Sequence, residues 1–155
     1  MIKIMFICHG NICRSPMAEF VMKDLVKKKR LEDVFEIASC ATSREEIGND
    51  MHYGSKNKLR EVGIPFSRRR AVQLTRADYD SYDYLIAMDG YNLRNISRII
   101  GSGPEKKVHL LLEYAGELRD IADPWYTGNF DDTYDDVKKG CTAFLDYLEK
   151  KGEMG

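Results

Sequence analysis

The chain has 155 residues, 43% hydrophobic and 32% charged, a composition expected of one globular domain over 1–155. Its 24 basic and 25 acidic side chains leave a net charge of −1, so no broad positive field recommends nucleic acid or an anionic membrane as a partner. No apolar run approaches the roughly 20 residues of a membrane span, the first residues lack a signal peptide's layout, and although the four cysteines are even in number, a secreted disulfide framework belongs to smaller, cysteine-dense chains. A cytoplasmic chain with reduced thiols is expected.

In chain order, residues 2–7 predict a buried strand, apolar except for Lys3. The octet from Cys8 to Ser15 follows, and a helix is predicted over 16–29. Its apolar face runs through Met17, Val21 and Leu25, widened by Phe20, and Lys27, Lys28, Lys29 and Arg30 close it where the macrodipole favours cations. A second strand is predicted over 35–41, a polar, turn-rich stretch over 42–53, and a helix over 54–62 stopped by Gly63 and Pro65. A third strand covers 83–89, a helix covers 91–100 before Gly101 and Gly103, and a fourth strand covers 108–112. Residues 120–129, with Pro124 and Gly128, read as a loop. The clearest helix is 131–150, with Val137, Cys141, Phe144, Leu145 and Leu148 on one face.

Strands alternating with helices imply an α/β fold with a parallel sheet and right-handed crossovers. Ligands of such sheets bind at the strands' carboxyl ends. Cys8 ends the first strand, so the octet Cys8-His9-Gly10-Asn11-Ile12-Cys13-Arg14-Ser15 is where chemistry is expected. Backbone amides of a tight loop entering a helix lack intrahelical partners and hold anions. Gly10 and Asn11 tolerate the left-handed angles such a loop needs. Arg14 offers a planar fork for two phosphate oxygens. The same amides and helix end favour a thiolate on Cys8. Cys-x5-Arg alone is common by chance, and a cysteine after an apolar strand is usually a core residue. Gly10, Asn11, Ser15 and Pro16 in a strand-loop-helix context turn that balance. Metal and cofactor are not expected: Cys8 and Cys13 lie five apart, and the histidines form no ligand-spaced cluster with them.

Cys8-x-Gly10-Asn11-Ile12-Cys13-Arg14-Ser15-Pro16 resembles the signature of the low-molecular-weight protein tyrosine phosphatases. The resemblance runs through almost the whole chain. It implies a four-stranded parallel sheet of order 2-1-3-4 with helices on both faces and an anion-binding loop after strand 1. It also implies hydrolysis of phosphotyrosine or aryl phosphate monoesters through a phosphocysteine, with Cys8 as nucleophile and His9 to Cys13, Arg14 and Ser15 around the phosphate. Ser39, in Ser39-Cys40-Ala41-Thr42-Ser43, would bond Asn11, and Ser15 would stabilise the thiolate. Arg44, Glu45 and Glu46 would lie on a rim that tunes specificity, or simply form a turn.

Expelling a phenolate, whose conjugate acid has a pKa of about 10, calls for a proton donor. Asp123, in Asp123-Pro124-Trp125-Tyr126, is the candidate, although Asp-Pro is also a common turn opener. The resemblance places the family's general acid in this motif, with Trp125 and Tyr126 as aromatic walls. The family commonly has Tyr where this chain has Trp125. Cys13 either packs against the helix or traps an oxidised Cys8 as a disulfide, the reading the resemblance favours.

A thiol-linked arsenate reductase shares the fold but needs relay cysteines, and none lies between Cys40 and Cys141. A protein-arginine phosphatase carries Thr where this chain has Ile12. A non-catalytic phosphate binder needs neither Cys8 nor Asp123. The expected partner is a phosphotyrosine-containing protein or a small aryl phosphate, and a monomer is favoured over an oligomer.

Overall fold

The computed structural model describes residues 1–101 and 107–152. Four parallel strands, β1 (Ile2–Cys8), β2 (Phe35–Ala41), β3 (Tyr84–Ala87) and β4 (Val108–Leu110), form a sheet of order β2-β1-β3-β4, as the resemblance implied. The register sets Cys8 beside Ala41, Phe6 beside Ser39 and Ile7 beside Ala87. The ends of the two central strands therefore converge on one edge of the sheet, and the loops leaving them share it.

The period of two along β1 divides its side chains between two layers. Ile2, Ile4, Phe6 and Cys8 pack with Met17 and Val21 of α1 (Arg14–Lys28) and with Val137 and Phe144 of α6 (Phe130–Lys151). Met5 and Ile7 pack with Leu85, Ala87 and with Ile96 and Ile100 of α4 (Gly90–Ile100). Ile4, Phe6, Ile7 and Phe144 are completely buried, each stabilising the fold by about 1.5–3 kcal/mol. The five-residue apolar stripe predicted on the last helix is buried throughout.

Several boundaries differ from the sequence expectation. α1 starts at Arg14, not Pro16, so Arg14 and Ser15 belong to its first turn. The third strand ends at Ala87 because Asp89 caps α4, accepting from Asn92 N at 2.7 Å. The fourth strand ends at Leu110, and Leu111–Ala115 tightens into a 3-10 turn that buries Leu111 and Leu112 in the α6 layer. The loop expected over 120–129 contains a one-turn helix, α5 (Pro124–Thr127), with Pro124 in its first turn. Between α2 (Tyr53–Glu61) and β3 lies α3 (Arg76–Ser81), whose start Thr75 N donates to Asp78 Oδ2 at 2.9 Å. Gly103, a predicted helix stop, lies outside the described residues. No helix among the described residues is long and apolar enough to cross a membrane.

Candidate active site

β1 delivers Cys8 to the carboxyl edge of the sheet, and the chain turns back immediately into α1. Cys8 is 3% exposed. Asn11 N and Ser15 N donate toward its sulfur at 3.3 and 3.4 Å, and the thiol itself donates to Ser15 Oγ at 3.1 Å. The two amides converge on the side of the sulfur that faces the loop.

The turn depends on Asn11, which has φ +60° and is fully buried. Asparagine tolerates this left-handed geometry better than most residues. Its Nδ2 donates to Ser15 Oγ at 2.7 Å and to Ser39 Oγ at 2.9 Å, so the expected Ser39–Asn11 bond is present. Ser39 in turn donates to Glu19 Oε1 at 2.6 Å. Asn11 Oδ1 accepts from Arg69 Nη2 and from Val72 N. Gly10 differs from expectation: it does not take a positive φ, and a Cβ there would touch Glu46 Cγ at an ordinary 3.4 Å.

Arg14 is 2% exposed. Its Nη1 donates to Asp89 Oδ2 at 2.7 Å and to Ile121 O at 2.8 Å, and its Nη2 reaches Asp123 Oδ2 at 3.4 Å. Its Nε is buried with no protein partner among the described residues, leaving one donor of the fork uncommitted. Burial opposes the guanidinium charge, but Cys8, Asp89 and Asp123 outweigh it and the pKa is raised above its ordinary value.

Asp123 caps α5 through Oδ1, accepting from Trp125 N at 3.0 Å, while Oδ2 faces Arg14. Cys8 and Asp123 line one cleft, together with His9, Gly10, Ile12, Cys13, Glu45, Glu46, Trp125 and Tyr126. Trp125 and Tyr126 are 56% and 81% exposed and form its outer wall. His9 Nε2 contacts Glu45 Oε2 across the rim. Arg44 turns aside, its Nε donating to Gln73 Oε1 at 3.1 Å. Cys13 lines the same cleft with its thiol pushed up to about 12 by burial, then by Cys8 and Asp123.

Three members of this site escaped sequence reading. Asp89 is signalled only as a helix cap, Arg69 is indistinguishable from its neighbours Arg68 and Arg70, and Glu19 looks like any polar position of α1.

Residues 3–154 match the family described as low molecular weight phosphotyrosine protein phosphatase. The chain belongs to that family. This phosphatase is 38% identical to the low molecular weight protein-tyrosine-phosphatase YfkJ of Bacillus subtilis, over 99% of this chain and all of that one. The crystal structure of YfkJ superposes with a TM-score of 0.94 at 39% identity, covering 97% of this chain and 96% of that one. SP-PTP, the low molecular weight protein tyrosine phosphatase of Streptococcus pyogenes, gives 0.85 at 40% identity, covering 96% and 98%. The phosphatase is a cysteine-dependent hydrolase of phosphotyrosine that works through a phosphocysteine.

Proposed function

We propose that Cys8 is the nucleophile, Arg14 and the loop amides the phosphate clamp, and Asp123 the general acid and base. The observation that carries this reading is that Cys8, ringed by donors, and Asp123, held near Arg14, line one cleft with an aromatic outer wall. In the first step the Cys8 thiolate attacks phosphorus in line. The S–P bond forms, the P–O bond to the phenol breaks, and Asp123 passes its proton to the departing oxygen. Arg14 and the amides take up charge on the equatorial oxygens. In the second step Asp123, now a carboxylate, takes a proton from a water that attacks phosphorus. The S–P bond breaks, and inorganic phosphate and the thiolate are released.

The loop from His9 to Cys13 surrounds the phosphate, Ser15 steadies the thiolate, and Ser39 holds Asn11. Trp125 and Tyr126 flank the aryl ring. Their exposure supports a ring presented by a phosphotyrosine-bearing protein, with a small aryl phosphate as the other substrate class. The enzyme acts as a cytoplasmic monomer without metal or cofactor.

A series of aryl phosphates of falling phenol acidity tests the assignment. Asp123→Ala is expected to lose most activity on the least acidic phenols and little on the most acidic, while an equal loss across the series would contradict it. Ile12, buried beside the cleft, supports an aryl ester over a phosphoguanidine. Phosphotyrosine peptides are expected to turn over faster than phosphoarginine peptides.

A further inference from the structure

His52 has no catalytic signature in sequence, yet it touches both halves of the site. Its backbone N donates to Ile12 O at 2.8 Å, tying it to the anion loop. Its side chain caps α2, with Nδ1 accepting from Gly54 N at 3.0 Å, which fixes the plane of the ring. One neighbour of that ring is Trp125, two residues after Asp123, in an edge-to-face contact at 5.6 Å and 80°. Two further aromatic rings meet it among the described residues: Phe130, which opens α6 and stacks at 5.3 Å and 15°, and Tyr53, which stacks at 4.4 Å.

Gly54 makes room for this arrangement. A Cβ there would come within 2.4 Å of the Phe130 ring, so the absent side chain lets Phe130 lie flat beside His52. Phe130 and Trp125 sit on either side of Gly128 and Asn129, which turn α5 into α6. The His52 ring therefore meets the segment carrying Asp123 at two points. Edge-to-face and offset aromatic contacts of this kind are directional, so they orient as well as bury.

We propose that His52 is a positioning residue that holds Trp125, and with it Asp123, over the Cys8 loop. The proposal rests on the reading of Asp123 as general acid. It makes the aromatic at position 125 part of the loop's support as well as a wall for the substrate. Without the His52 ring, Asp123 keeps its contact with Arg14, but Trp125 loses its inner neighbour and α5 samples a wider range of positions.

His52→Asn and His52→Ala separate this role from helix capping. Asparagine caps α2 as well as histidine does but has no ring, whereas alanine removes both functions. Trp125 is the chain's sole tryptophan, so its fluorescence reports the contact directly. His52→Asn, which keeps the cap, is expected to melt above His52→Ala, while acrylamide quenches its Trp125 more strongly than the parent's. Its kcat/KM on phenyl phosphate should fall about tenfold, a fraction of the whole general-acid effect, with little loss on dinitrophenyl phosphate, whose phenol leaves unaided. Unchanged quenching and an unchanged ratio between the two substrates would overturn the proposal and leave His52 as a cap alone. Asp123→Asn, run in parallel, keeps the two readings apart. If it fails to produce the same substrate split, the reading of Asp123 has failed, and the quenching result alone decides the His52–Trp125 contact.

Discussion

Arg14 and Asp89 form an ion pair at 2.7 Å in which the arginine is 2% exposed and the aspartate 17%. The pair joins the start of α1 to the start of α4 and, with Ile121 O, commits Nη1 of the guanidinium to protein partners. Asp89 also caps α4, so a useful variant must spare the cap. Asp89→Ser does so. Removing one partner of a buried pair costs about 3–5 kcal/mol. Ile121 O and Asp123 still hold Arg14, which puts the loss at the low end of that range. Urea unfolding should show it, and inorganic phosphate should inhibit the variant more weakly than the parent because the clamp is less well oriented.

Asn11 combines a strained backbone with a buried hydrogen-bond network, and two substitutions part these contributions. Asn11→Ala keeps the left-handed angle without a tolerant residue, at about 1–2 kcal/mol, and loses the bonds to Ser15 and Ser39 as well. Asn11→Gly relieves the angle but not the bonds. The glycine variant is expected to unfold at higher denaturant than the alanine variant, and both should lose kcat. Equal midpoints would mean that the angle costs nothing. Arg69→Met should lower kcat in the same direction, since Asn11 Oδ1 then keeps only Val72 N.

Burial raises the thiols of Cys13, Cys40 and Cys141 above their ordinary 9.0, Cys13 to about 12. The folded chain keeps protons that the unfolded chain releases above about pH 9, so the unfolded state binds fewer protons there. Stability from these groups is complete below pH 9 and is lost as pH rises toward the folded values, between 9.0 and about 12 for Cys13. Each thiol contributes a slope of about 1.4 kcal/mol per pH unit within its window. Unfolding measured from pH 8 upward should therefore show falling stability. Cys141→Ala should flatten the fall, whatever its effect at neutral pH.

Gly140 lies inside α6 against Leu111, whose Cγ would stand 2.5 Å from an added Cβ. Alanine gains about 1 kcal/mol of helix propensity over glycine but forces the core apart, which typically costs about 1–3 kcal/mol. Gly140→Ala should lower the melting temperature. Leu111→Ala in the same chain should offset part of that loss, so the two effects are less than additive.

What sequence reading reached and what it missed divide along a physical line. The octet and the Asp123 motif are local: each packs its chemistry into a few consecutive residues, and strand-to-helix succession places the first at the sheet edge. Strands β1 and β2 and the stripe of α6 were legible because apolar character survives over seven or more residues. Asp89, Arg69 and His52 were not, because their partners lie far along the chain. Asp89 meets Arg14 across 75 positions and Arg69 meets Asn11 across 58. Only the register of β1 against β3 and the return of the chain after α2 bring them together. α3 and α5 run for six and four residues, too short for an apolar period to show. Only Thr75-x-x-Asp78 and Asp123-Pro124 mark their starts.

The central claim is that phosphorus is carried on Cys8. A rapid denaturing quench during turnover of a radiolabelled aryl phosphate, followed by peptide mapping and fragmentation to separate Cys8 from Cys13, tests it most directly. The expected result is label on Cys8 sulfur, absent in Cys8→Ser and accumulating in Asp123→Ala when the substrate has an acidic phenol. Label on Cys13 or on an oxygen, or turnover that survives Cys8→Ser, would contradict the account.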